Sequence, residues 1–442
     1  MIIERATDKV SHPGASLFRS FFIGGFECST HRLASGKRLD LVRATRHDEF
    51  ATSDYRLLQE HGFRTVREGL RWHLIESNPR RFDFSSALPI TRAARETRMQ
   101  VIWDLWHYGW PDEIDIFSIG FIRRFTAYAR AAATLLSEQL DETPFISPIN
   151  EISFFSWAGG DGAAFNPFAR NRGAELKRQL VRASVEAIYA IREVNPAIRF
   201  CQIDPMINVT SGTGRHQDGL AAEEYRQTQF DAWDMICGRT APELGGEDSF
   251  LDIIGVNYYI HNQWAHPGGH GSMLVPSDPR YRHVRDMLAE LYARYCKPIF
   301  IAETGIEDEM RPIWLRYISN EVRGAMISGV PIEGLCLYPI LNHPGWDDER
   351  HCYNGLFDYA DATGRREVYQ PLADELARQQ EIVASVRSGG GDRERRFEFN
   401  TSALDWAAHQ MEERTDDSRV AHDEIRATIE RDAELEKTES NT

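Results

Sequence analysis

Along most of the chain, short runs of apolar, β-branched or aromatic residues alternate with longer amphipathic stretches. Eight such runs predict strands: FFIGGFE (21–27), TVREGLRW (65–72), QVIWDLWHYGW (100–110), PFISPINE (144–151), IRFCQID (198–204), FLDIIGVNYY (250–259), PIFIAETG (298–305) and IEGLCLYPIL (332–341). The stretches between them carry helical marks: 54–62 ends on Gly62, and 174–196 runs amphipathically into Pro196. Strand and helix in repeating order imply a parallel sheet, and eight units close a (β/α)8 (TIM) barrel, which is the expected α/β fold. Near residue 387 the pattern stops. SGGG (388–391) has the composition of a flexible linker, and charged residues dominate the remaining C-terminal stretch. The expected division is a barrel over 1–387 and a charged C-terminal tail over 388–442, partly helical or disordered.

Composition narrows the function. The net charge of −16 and pI near 5.5 leave no broad basic surface for a phosphate backbone, so nucleic acid is not an expected partner. The opening MIIERATDKVSHPG carries charges where a secretory signal needs an apolar core. No later run approaches the roughly 20 apolar residues of a membrane span, and a soluble, cytoplasmic protein is expected. The six cysteines are scattered without a CxxC pair and read as buried free thiols. HEXXH, HxH, GxSxG and phosphate-cradling glycine loops are absent, so neither a metal nor a cofactor is expected.

What remains is acidic chemistry at the strand ends. Polar and aromatic residues gather at the C-terminal end of each run, the rim where this fold builds its active sites. Glu151 closes the fourth run and Glu303 the seventh, so a barrel aims both into one central cavity. Glycoside cleavage needs that pair: one protonated carboxyl at the leaving oxygen and one ionised carboxylate at the anomeric carbon. A single glutamate ending a strand is usually a solvated loop residue. Two at the ends of apolar runs, one of them preceded by Asn150, are not, because burying an unemployed charge is costly.

The segments PINE, IAETG and GVNYY resemble the strand-four, strand-seven and strand-six signatures of family 1 glycoside hydrolases, the β-glucosidase group. VREGLRW, LWHYGWP and LYPILNHPGWDD resemble the family's second, third and eighth strands, and the matches run in order from about residue 21 to 380. The resemblance implies a retaining β-glycosidase acting on a carbohydrate or glycoside through a covalent glycosyl-enzyme. Glu303 would be its nucleophile, oriented by Arg67 and Tyr259, and Glu151 its general acid/base. Asn150 would bind the sugar 2-hydroxyl, with His107, Asn257, Trp346, Tyr338 and His31 completing the substrate-binding set. Two positions depart from the family. His31 stands where a sugar-binding Gln is expected, beside a Glu27 that is usually a small residue. Gly345 replaces a hydroxyl-gripping Glu, an exchange expected to leave room for a larger glycone. Transglycosylation through the same intermediate and a non-catalytic carbohydrate-binding barrel stay open as alternatives, and the sequence does not give the oligomeric state.

Overall fold

The computed structural model describes residues 16–267, 272–346, 348–388 and 402–405. Eight parallel strands close into one barrel: β1 (Phe22–Gly25), β2 (Thr65–Gly69), β3 (Gln100–Asp104), β4 (Phe145–Ser147), β5 (Arg199–Pro205), β6 (Ile253–Asn257), β7 (Ile299–Thr304) and β8 (Ile332–Leu337), each hydrogen-bonded to its neighbours in chain order, with β8 returning to β1. Helices follow the strands and form the outer layer. They include α1 (His47–Glu60), α2 (Leu88–Thr97), α3 (Ile119–Gln139), α4 (Gly173–Val194), α5 (His216–Gln227), α6 (Val284–Tyr295), α7 (Arg311–Ile327) and α8 (Gln370–Arg387). Gly62 ends the α1 region with φ of 86°, a conformation that costs a side-chain-bearing residue more than glycine.

The two-residue period of a strand sorts side chains between the barrel axis and the helix layer. On β2, Arg67 turns inward, whereas Glu68 turns outward to accept from His47 Nε2 and Tyr55 Oη of α1. Burial disfavours a charge on His47, yet Glu68 and Asp54 outweigh it and raise its pKa to about 9. The lower barrel is apolar, filled by Ile23, Ile102, Phe145, Ile203, Ile253, Phe300 and Ala302. Phe18 closes the bottom, its ring 5.2 Å from both Phe145 and Phe300. Burying each of these large side chains contributes roughly 1.5–3 kcal/mol, and together they give the polar upper layer a rigid floor.

All the barrel strands except β5 end before their apolar runs do. The third run predicts extended chain to residue 110, but β3 ends at Asp104 and Tyr108 has φ of 70°. Those surplus residues are rim loops, and they hold the site. Most of the tail expected over 388–442 lies outside the described residues. Within it, Leu404 is fully buried in the main core and Asp405 accepts from the Ser277 backbone N–H at 3.3 Å. Among the described residues, no helix is long and apolar enough to cross a membrane.

Candidate active site

Arg67 organises the centre of the barrel mouth. Its guanidinium is fully buried; Nη1 donates to Glu303 Oε1 at 2.8 Å and to the Ala302 carbonyl at 3.0 Å. Nε and Nη2 donate to the two oxygens of Asp104 at 3.1 and 2.6 Å, and Nη2 also donates to Asn150 Oδ1 at 2.7 Å. One planar fork thus ties β2, β3, β7 and the loop after β4 together, a geometry that lysine could not reproduce. Burial disfavours the charge on Asp104, but Arg67 and His107 overcome it and hold the carboxyl below its usual range.

Glu303 lies within β7 and is laterally paired with Asn257 on β6 across a register shift. Its second oxygen, Oε2, accepts from Tyr259 Oη at 2.9 Å. Tyr259 is brought there by two backbone anchors: Tyr258 N–H donates to the Glu303 carbonyl at 2.9 Å, and Tyr259 N–H donates to Asn262 Oδ1 at 3.1 Å. Both Glu303 oxygens therefore face donors, one of them cationic.

Glu151 has a different setting. It sits four residues beyond β4 in the left-handed region (φ 49°, ψ 57°), a conformation that costs a non-glycine residue on the order of 1–3 kcal/mol. Its N–H donates to the Ile203 carbonyl at 3.0 Å, and its carbonyl receives the Phe155 N–H at 2.9 Å to start the next helical turn. Among the described residues no cation pairs with its carboxyl, which accepts instead from Tyr108 Oη. Burial, and then the negative charge of Glu303, push its pKa up to about 8, against the pull of Tyr108 and the nearby Asn257.

Around this pair lie the other residues expected from the sequence. His107 Nδ1 donates to Asp104 Oδ2 at 3.0 Å. Burial opposes a charge on His107, but Cys28, Asp104 and Glu27 lift its pKa well above 6.5. Tyr338 lies parallel to the His107 ring, 6.0 Å away and 4° from coplanar, with the Arg67 guanidinium 5.1 Å from its centroid. It fits only because residue 25 is glycine; a Cβ there would meet the Tyr338 ring at 2.2 Å. His31 is fully buried against Trp346 and Phe165, with ring centroids 4.6 Å away in each case. Among the described residues, both of its nitrogens lack a hydrogen-bond partner, as do both amide atoms of Asn257. Such orphaned groups are rare in buried surroundings, and four such atoms lie at this mouth.

All ten expected site residues thus converge on one mouth. The room expected beside Gly345 is filled, since a Cβ there would lie 2.1 Å from Asp348 Oδ1. Arg350 bridges Asp348 and Glu307 across that spot, the latter through two bonds of 2.6 Å. Sequence reading missed Asp104 and Tyr108. A lone Asp three residues before His107 in an apolar run was a signal for the first; nothing marked the second. The described residues also hold one cluster of metal-ligand type, Cys28, Asp104 and His107, with donor atoms within 4.8 Å of one another. Arg67 already engages both Asp104 oxygens there.

No protein-family model matches the sequence, and no curated protein matches it. Solved structures do match. A family 1 β-glucosidase from Thermotoga maritima superposes with a TM-score of 0.66 at 15% identity, covering 83% of this chain and 98% of that one. The virulence factor SghA from Agrobacterium tumefaciens gives 0.67 at 17% identity, covering 82% and 97%. SghA with its substrate analog salicin gives 0.66 at 16%, covering 82% and 96%. At this identity the likeness is one of fold: the chain folds as the family 1 β-glucosidases do, as a (β/α)8 barrel.

Proposed function

We propose that the protein is a retaining β-glycosidase, with Glu303 as nucleophile and Glu151 as general acid/base. The observation that carries this reading is the opposite electrostatics of two carboxylates facing one cavity. Glu303 has Arg67 and Tyr259 to hold a negative charge, whereas burial and the Glu303 charge keep a proton on Glu151 to about pH 8. In the first step Glu303 attacks the anomeric carbon, the bond to the leaving oxygen breaks, and the Glu151 proton moves to that oxygen. Once Glu303 is esterified its charge is gone, so Glu151 becomes the stronger acid of the two states and stays ionised. It then takes a proton from water as the water oxygen displaces Glu303 and frees the sugar. In this reading Asn150, held by Arg67, grips a hydroxyl beside the reacting carbon as the transition state forms. The fold shared with the β-glucosidases and the orphaned polar atoms of His31 and Asn257 support a polyhydroxylated substrate.

The test is to incubate the protein with a panel of 2-fluoro β-glycosides bearing good leaving groups and to locate the label by peptide mass spectrometry. A glycosyl group on Glu303 is the expected result. Label on another residue, or hydrolysis of nitrophenyl β-glycosides that survives Glu303→Ala, would overturn the assignment. Added acceptor alcohols would separate hydrolysis from transfer, through the ratio of free sugar to new glycoside.

A further inference from the structure

Besides Asp104, the site holds another carboxylate that the proposed mechanism does not use. Glu27, just past β1, is buried within the barrel mouth. Its Oε1 accepts from the Ser29 N–H at 2.9 Å and from Ser29 Oγ at 2.6 Å, which fixes the carboxyl plane. Among the described residues nothing donates to Oε2. Four residues on, His31 is fully buried with both nitrogens unpartnered, and Trp346 stands edge-on to its ring at 4.6 Å. Glu27 acts electrostatically on His31, His107, Tyr108, Tyr259 and Tyr338, so it lies among the residues around Glu151 and Glu303. His107 and His343, with the Ser29 hydrogen bonds, overcome burial and hold its carboxyl below the ordinary range.

Resting on the glycosidase reading, we propose that Glu27 reads the glycone: Oε2 accepts from sugar hydroxyls, and the Glu27 charge selects neutral over anionic sugars. A fixed anionic acceptor beside an uncommitted imidazole is a good partner for a hydroxyl edge, where charged hydrogen bonds are the strong ones. The same charge opposes a carboxylate on the sugar, as like charges brought together in a desolvated site repel. Arg67 is committed to Asp104, Glu303 and Asn150, and His107, whose charge acts on Glu27, is engaged by Asp104.

The experiment compares nitrophenyl β-glucoside with nitrophenyl β-glucuronide on the wild type, Glu27→Gln and Glu27→Ala. Calorimetric binding of the basic iminosugar deoxynojirimycin is measured on the same three proteins. Glu27→Gln keeps acceptors for Ser29 and removes the charge, so the kcat/KM preference for the neutral glycoside should narrow by about tenfold or more, and iminosugar binding should weaken about tenfold. Glu27→Ala should lose about 10–100-fold in kcat/KM on the neutral glycoside, mainly through KM. A structural role alone would depress both substrates equally; an unchanged preference ratio in an active Glu27→Gln overturns the proposal. If the wild type cleaves neither glycoside, the glycosidase reading is what has failed. Calorimetry then decides on Glu27 alone, and equal iminosugar affinity in wild type and Glu27→Gln rejects it.

Discussion

Glu303 and Glu151 are the same residue type on one rim, yet the barrel gives them opposite surroundings. Glu303 stays inside β7, where register fixes its backbone and two donors from β2 and the loop after β6 take its oxygens. Glu151 lies beyond β4 in a left-handed backbone conformation, is buried with no cation paired to it among the described residues, and senses the charge of its counterpart. Donors face both oxygens of one carboxyl while burial favours the proton on the other, an asymmetry that the proposed double displacement would use. The difference in surroundings resides in Arg67 and in the exit of the chain from β4.

The largest break in this comparison is Glu303→Ala, expected to lower kcat/KM on the order of 10⁴-fold or more for every leaving group, as read by initial rates. Glu151→Gln should cost about 10²–10⁴-fold with poor leaving groups and much less with activated nitrophenolates, which need no proton. Equal losses across leaving groups for both variants would erase the assigned roles. Arg67→Met leaves Asp104 and Glu303 buried without their cation, and about 3–5 kcal/mol of stability should disappear in chemical denaturation.

A subtler contrast comes from linkage. Glu151 has a folded-state pKa near 8, raised above the ordinary 4.5, so between those values the folded state binds more protons than the unfolded chain. Its contribution therefore erodes stability as pH rises from about 4.5 to 8 and levels off above. Glu151→Gln should gain a few kcal/mol over the wild type above pH 8 and nothing below about pH 4, measured by denaturant melts at each pH. The smallest effect belongs to Tyr108→Phe. The Tyr108 hydroxyl stabilises ionised Glu151, so its loss should move the basic limb of the kcat/KM profile to higher pH.

Much of this was legible in the sequence. The eight apolar runs locate all eight barrel strands, because a strand buried on both faces must be apolar throughout. Their C-terminal limits were not legible, since Trp106, Tyr108 and Trp110 favour strands wherever they stand and only the fold assigns them to the rim. Glu151 and Glu303 stood out as charges ending apolar runs. Asp104 and Tyr108 act through partners more than 35 residues away in the chain, in Arg67 and Glu151, and that convergence exists only once the barrel closes. The filling of the space beside Gly345 by Asp348 and Arg350 was equally invisible, because a missing side chain in sequence says nothing of what moves in.

The asymmetry can be measured directly by following the glutamate carboxyl ¹³C resonances through a pH titration of the wild type, Glu151→Gln and Glu303→Gln. The expected result is a carboxyl titrating near pH 8 that vanishes in Glu151→Gln and moves downward by about a unit or more in Glu303→Gln, where the neighbouring charge is gone. A Glu151 carboxyl that titrates in the ordinary range, or one indifferent to Glu303, would contradict it.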